Sequence, residues 1–183
     1  MKIIIAGAGA MGSRFGLMLH QAGNDVIFVD GWPEHIEAIR KNGLVADFNG
    51  EVVTAKIPIY PQTEVASIDF TADLVKAMQL AGMLEALEHF LNKNTKVLCL
   101  LNGIGHEDII KKYVPYENIL LGNTMWTAGL EGPGKVKLFG NGSIDLQNLG
   151  AQSEQAVEAV IKVLNNAGWF CCKVLNLLSN KVE

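Results

Sequence analysis

Apolar residues along the chain fall into two alternating rhythms. Lys2 to Ala6 (KIIIA) is a short apolar run, as in a parallel strand covered on both faces. From Ala10 to Ala22 the residues Met11, Phe15, Met18, Leu19 and Ala22 recur at spacings of three and four, which predicts a helix stopped by Gly23-Asn24. Asp25 to Asp30 (DVIFVD) predicts a second strand. Pro33 to Lys41 predicts a second helix, with proline in its first turn and Asn42-Gly43 at its end. The opening is therefore a βαβα unit.

The middle is less regular. Leu44 to Phe48 and Val52 to Lys56 flank Asn49-Gly50, a dipeptide suited to two-residue hairpins because both central positions need positive φ. Lys96 to Leu101 predicts another buried strand, then Asn102-Gly103 and a helix carrying Ile104, Ile109, Ile110 and Tyr113. Asn118 to Gly122 predicts a sixth strand. Lys135 to Phe139 and Ser143 to Leu146, around Gly140-Asn141-Gly142, are expected to form an antiparallel hairpin. Ser153 to Ala167 has Ala156, Val157, Val160, Ile161 and Leu164 at helical spacing, with Ser153 as its cap and Gly168 behind it. No repeat or low-complexity tract is visible.

Strand, turn, helix and strand in about 30 residues give meaning to Gly7-Ala8-Gly9-Ala10-Met11-Gly12. Gly7 permits a tight turn, Gly9 lacks the Cβ that would block a pyrophosphate, and Gly12 lets the helix lie close to the sheet. The helix N-terminus offers N–H groups and partial positive charge to phosphates. Asp30 stands 18 residues beyond Gly12, near the spacing of a carboxylate that takes the adenosine ribose hydroxyls. The stretch reads as a dinucleotide site rather than a bare corner.

With those residues in view, the chain resembles the ketopantoate reductase family (2-dehydropantoate 2-reductases), which also includes NAD-dependent D-2-hydroxyacid dehydrogenases. The resemblance runs through GAGAMGSRFG at 7–16, VKAMQL at 75–80, LLNGIGHED at 100–108 and TMWTAGLEGPGKVKLFGNGSIDLQN at 124–148. It implies hydride transfer from a nicotinamide cofactor, NADP or NAD, to the carbonyl carbon of a small-molecule 2-oxo acid. It also implies roles for three residues. Lys76, expected to follow a strand and open a helix, would reach cofactor phosphate or substrate carboxylate. Asn102, at the end of a buried strand, would contact nicotinamide and substrate, and Ala128 would meet the cofactor through its backbone. The expected cofactor-binding set is Gly7, Ala8, Gly9, Ala10, Met11, Gly12, Asp30, Lys76, Asn102 and Ala128. Lys76 and Asn102 carry supporting catalytic roles.

Two departures from the family pattern stand out. The segment before Lys76 reads SIDFTADLV, with Asp69 and Asp73 inside it, so its strand is expected to be short or distorted. The chain ends at Glu183, about where the family continues into an all-helical second domain carrying the catalytic lysine. Residues 1–168 are thus expected to be the dinucleotide-binding domain, and 169–183 the start of a connection to a helical domain absent here.

Other residues are weaker candidates. His20, His35, His89 and His106 lie on separate segments without metal-ligand spacing. Trp32 reads equally as a neighbour of the adenine or as a core residue. Cys99, Cys171 and Cys172 suit reduced thiols.

Composition narrows the class. Half of the 183 residues are apolar, enough for one domain, and the net charge of −4 gives no reason to expect nucleic acid or an anionic membrane. No apolar run approaches the roughly 20 residues of a membrane-spanning helix, and a cytoplasmic location is expected. The expected fold is a Rossmann-type, doubly wound, mostly parallel α/β sheet with antiparallel hairpin additions. The function that the family resemblance implies is ketopantoate reduction in pantothenate biosynthesis. A D-2-hydroxyacid dehydrogenase and a non-catalytic nucleotide-binding module are the alternatives. This chain alone is expected to be inactive, with self-association through apolar surface around the helix from Ser153 and the stretch 169–178.

Overall fold

The isoleucine run forms β1 (Lys2–Ala6), and Ile3, Ile4, Ile5 and Ala6 are all fully buried. The computed structural model describes residues 1–77, 82–103, 105–150 and 154–174. After β1 come α1 (Ala10–Gln21), β2 (Asp25–Asp30), α2 (Pro33–Asn42), β3 (Leu44–Phe48), β4 (Glu51–Ala55) and β5 (Ile59–Pro61). Then follow β6 (Leu74–Ala77), α3 (Met83–Ala86), β7 (Lys96–Cys99), α4 (His106–Ile110), β8 (Ile119–Thr124) and β9 (Thr127–Gly132). Last are β10 (Lys135–Phe139), β11 (Ser143–Asn148), α5 (Glu154–Asn166) and β12 (Phe170–Lys173).

The larger sheet has eight strands in the order β12-β11-β8-β7-β6-β1-β2-β5. Its six strands from β8 to β5 are mutually parallel, with β11 antiparallel to β8 and β12 parallel to β11. Both faces are covered because side chains alternate along each strand. Ile3, Ile5, Leu74 and Leu98 join Phe15 of α1 and Val157, Val160 and Leu164 of α5 in one core. Ile4, Ala6, Val75 and Val97 join Met83, Leu84 and Ile110 in the other. The fold is the doubly wound α/β sheet that the alternating rhythms imply.

A second sheet has four strands in the order β4-β3-β10-β9. Its β3–β4 hairpin turns at Asn49 (φ 54°) and Gly50 (φ 89°), as that dipeptide predicts. Helix α1 packs against β9 and β10 as well as β1 and β2, so it lies between the two sheets.

The expected hairpin of Lys135–Phe139 with Ser143–Leu146 does not form. Instead β10 pairs with β9 and β3, while β11 crosses to the large sheet and pairs with β8 and β12. The physical reason lies in the turn: a Cβ on Gly142 would sit 2.7 Å from the carbonyl carbon of Met125 and the nitrogen of Trp126, so this glycine serves a close crossing of backbones.

The strand before Lys76 is short, as expected: β6 begins only after Asp73, whose carboxylate accepts the N–H of Lys2 at 2.8 Å. The helix expected after Asn102 is confined to His106–Ile110, while Ile104 and the proposed cap Ser153 lie outside the described residues. Phe170–Lys173 extends the large sheet beyond residue 168. Of the stretch 169–178 expected to be exposed, Trp169 and Cys171 are buried, Phe170 is 69% exposed, Cys172 and Lys173 are exposed, and 175–178 lie outside the described residues.

Candidate functional site

Because β1, β2, β6, β7 and β8 run parallel, their C-terminal ends share one edge of the large sheet. The chain leaves β1 for β2 on one side and later enters β6 on the other. Ligands of open α/β sheets sit at such a reversal of strand order, and the Gly7–Gly12 loop emerges there.

The loop is shaped by its glycines. Gly7 has φ 103°, open to glycine at little cost. A Cβ on Gly12 would fall 1.8 Å from the carbonyl oxygen of Gly7, so α1 can start this close to β1 only with glycine there. A Cβ on Gly9 would meet nothing within 4 Å, which leaves open space in front of the helix mouth. The first turn of α1 carries no acidic residue, and no side chain caps it. These features fit a phosphate group held by backbone N–H donors.

Asp30 ends β2 and bridges two neighbours. One carboxylate oxygen accepts the N–H of Ala8 at 2.5 Å, and the other accepts that of Trp32 at 2.8 Å. Ser13 Oγ donates to Ala8 O at 2.6 Å, fixing the loop from the helix side. Asp30 is partly exposed, and each carboxylate oxygen keeps acceptor capacity beyond these bonds. Beside Gly31 a cleft of about 490 Å³ is lined by Pro33, Ile36, Arg40 and Pro61 among others.

Lys76 departs from expectation. It opens no helix but lies within β6, level with Ile5 of β1 and Leu98 of β7, and is only 1% exposed. Its Nζ sits 4.0 Å from the centre of the Phe15 ring. Burial pushes its pKa down to about 7, with Cys99 pulling weakly the other way. Strand register explains this: two residues on from Leu74, the side chain must face the α1 core.

Asn102 lies exposed on the loop after β7, at the same sheet edge. His106 Nε2 donates to its backbone carbonyl at 3.0 Å. Ala128 stands on β9 of the second sheet, across from Leu138, and its side chain joins the core beneath α1. The fold thus gathers Gly7–Gly12, Asp30 and Asn102 at one edge, with Lys76 buried behind it and Ala128 in the neighbouring sheet.

One residue escapes sequence reasoning, and another, His35, is weighed there only as a metal ligand. Arg14 is buried, donates to the carbonyls of Thr127, Phe139 and Gly140 at 2.6, 2.7 and 3.1 Å, and covers Trp126 at 4.3 Å. Burial lowers its pKa. It pins α1 to the second sheet; an arginine among buried helix positions was the available signal. His35 is fully buried beneath Trp32, and periodicity alone does not mark it.

Residues 3–151 match the family described as ketopantoate reductase PanE/ApbA. The chain belongs to this family. It is 56% identical over 172 residues to a 2-dehydropantoate 2-reductase of Lactococcus lactis subsp. lactis, covering 92% of this chain and 55% of that protein. A 2-dehydropantoate 2-reductase of Streptococcus pyogenes serotype M1 is 48% identical, with 91% and 54% covered. Among solved structures, D-mandelate dehydrogenase with NADH and anilino(oxo)acetate is 57% identical, with a TM-score of 0.92 over 97% of this chain and 58% of that one. The chain therefore spans little more than half the length of these ketopantoate reductase relatives. Among the described residues no helix is long and apolar enough to cross a membrane.

Proposed function

We propose that this chain is the dinucleotide-binding half of a 2-dehydropantoate 2-reductase, which reduces ketopantoate to pantoate. The observation that carries the reading is the Gly7–Gly12 loop held by Asp30 at the strand-order reversal, within a chain of this family. The backbone N–H groups at the start of α1 would hold the pyrophosphate, and Asp30 the adenosine ribose. The nicotinamide, when bound, supplies the hydride. Asn102 would orient the nicotinamide and the 2-oxo acid through an amide that both donates and accepts. Lys76, from beneath the switch point, would set a positive potential under anionic groups whenever its amine is protonated. Ala128 would take part only through its backbone.

The cofactor is NAD(H) at least as readily as NADP(H). A carboxylate at the end of β2 repels a 2′-phosphate, and Gly31 supplies no cation to offset it. Arg40 and Lys41 line the cleft beside Gly31, and Arg40 is engaged by Glu64 at 2.8 Å and by the carbonyl of Ile59 at 3.0 Å.

A second reading is a D-2-hydroxyacid dehydrogenase acting on branched or aromatic 2-oxo acids, favoured by the 57% identity to D-mandelate dehydrogenase. The test is steady-state assay of the full-length enzyme with ketopantoate and with phenylglyoxylate, each with NADH and NADPH. Preference for ketopantoate supports the main reading; preference for phenylglyoxylate replaces it with the second. Nucleotide binding without turnover of either would make the protein a non-catalytic module.

A further inference from the structure

His35 lies in the first turn of α2, fully buried, and its Nδ1 accepts the backbone N–H of Gly134 at 3.0 Å. A nitrogen that accepts carries no proton, so the ring is neutral with its hydrogen on Nε2. Nε2 has no hydrogen-bond partner. The imidazole stacks on the indole of Trp32, with centroids 5.1 Å apart and planes 10° from parallel. Trp32 in turn donates its backbone N–H to Asp30, whose other oxygen grips Ala8 of the glycine loop. One ring thus joins the β9–β10 turn, the start of α2 and the turn that carries Asp30.

We infer that His35 is a positioning residue for the adenosine end of the dinucleotide site, where its neutral ring props Trp32 and so fixes the Asp30–Ala8 contact. The inference rests on the reading of Gly7–Gly12 as a dinucleotide site. A leucine would fill the same space without burying an unpaired nitrogen, which is a rare arrangement in folded proteins. The histidine is explained by what it joins. The β9–β10 turn is pressed onto α2, since a Cβ on Gly134 would lie 3.0 Å from that of Ala38, and its N–H needs an acceptor there. Nδ1 supplies that acceptor, while the ring face supplies the platform for Trp32.

Protonation would break this arrangement. An added proton on Nδ1 would meet the N–H of Gly134 head-on. Burial holds the ring's pKa below the ordinary histidine value, while the charge of Asp30 and the backbone of Ala8 act in the other direction. Asp30 on β2 is the charged group acting on the ring; the glycine loop and the β9–β10 turn present backbone groups of Ala8 and Gly134. Adenosine affinity should therefore fall on acidification, through a group that is fully buried.

The test is titration of the 183-residue chain with NADH and with 5′-AMP, at about pH 8 and about pH 5.5, for the wild type, His35→Asn and His35→Phe. The wild type is expected to lose affinity for both ligands on acidification by a few-fold, below the roughly tenfold ceiling that an unshifted imidazole would give at about pH 5.5. Asn offers Oδ1 near the place of Nδ1 and does not titrate, so His35→Asn should keep affinity at the higher pH and show a flatter profile. His35→Phe keeps the stack but strands the Gly134 N–H, and should bind both ligands roughly tenfold more weakly at the higher pH. If His35→Asn, folded by circular dichroism, shows the wild-type affinity and pH profile, the inference is overturned, whether or not His35→Phe folds. Absence of NADH and 5′-AMP binding by the wild type would overturn the dinucleotide reading itself, and His35's role with it.

Discussion

The ammonium of Lys76 lies 4.0 Å from the centre of the Phe15 ring, and both side chains are sealed from solvent. Phe15 stacks on Trp169 at 3.9 Å, Trp169 meets Trp126 edge-on at 4.9 Å, and Arg14 covers Trp126 at 4.3 Å. A row of three aromatic rings thus separates the Lys76 amine from the Arg14 guanidinium. Cation–π contact stabilises each, by on the order of 1–2 kcal/mol when desolvated, which is less than the desolvation of a lysine.

That imbalance fixes the sign of a stability effect. The Lys76 pKa is about 7 in the folded chain, below its ordinary value of 10.5, so the unfolded chain binds more protons between those limits. Stability should be fullest above pH 10.5 and fall as pH drops toward 7. Lys76→Met removes the titrating group and should stabilise the chain at neutral pH by on the order of 2–4 kcal/mol. Urea denaturation at both ends of that range checks it: the variant should lack the slope, and an unchanged slope would assign it to another group.

The glycine loop allows a sharper contrast. Gly12→Ala drives a Cβ to 1.8 Å from the backbone oxygen of Gly7, so the start of α1 must move, at a cost of roughly 2–4 kcal/mol. Gly9→Ala meets nothing within 4 Å and should leave the Tm within a few degrees of wild type. Both should lose NADH binding, Gly12→Ala through displaced backbone and Gly9→Ala by occupying the ligand's space. Undiminished binding by Gly9→Ala would place the pyrophosphate elsewhere.

Asp30→Asn tests cofactor choice. The amide keeps only one of the two oxygens that accept the N–H groups of Ala8 and Trp32, which loosens the loop for either ligand, and it discards the charge that opposes a 2′-phosphate, so NADH affinity should drop roughly tenfold and NADPH affinity by less. Calorimetric titration of both ligands measures the gap. Wild-type chain that binds NADPH clearly more tightly than NADH would sink the argument and point to Arg40 or Lys41.

Asn102→Ala bears on chemistry rather than affinity. If the amide orients the nicotinamide and the 2-oxo acid, kcat/KM of the full-length enzyme should fall by about 10²-fold, near 2.7 kcal/mol, with the fold intact. Unchanged kinetics would reduce Asn102 to a turn residue.

Legibility in the sequence tracked how local each decision was. The first βαβα unit was readable because its glycines, its proline and its apolar spacings act within about 30 residues. The Asp30–Ala8 contact follows from that same unit. Strand partnership in the second half was not readable, since β10 and β11 alternate alike and nothing local says that one joins β3 and the other β8. The burial of Lys76 depended on a register set by β1 and β7, far away in sequence. Arg14 and His35 likewise satisfy partners more than 90 residues distant.

The 183-residue chain should bind a dinucleotide yet turn over no 2-oxo acid. Binding needs the Gly7–Gly12 loop, the start of α1 and Asp30, all built within one βαβ unit. Reduction of a ketone leaves an alkoxide, which needs a proton donor within hydrogen-bond reach. Asn102 stands at the right edge, but an amide is far too weak an acid for that task. Lys76 has a suitable pKa of about 7, but it is 1% exposed, with its Nζ over the Phe15 ring, where no substrate carbonyl can reach it. The measurement is NADH oxidation with ketopantoate by the purified chain, beside Lys76→Met. No rate above background is expected from either. A rate that the wild type shows and Lys76→Met lacks would make Lys76 the acid, and would require its side chain to leave the core when ligand binds.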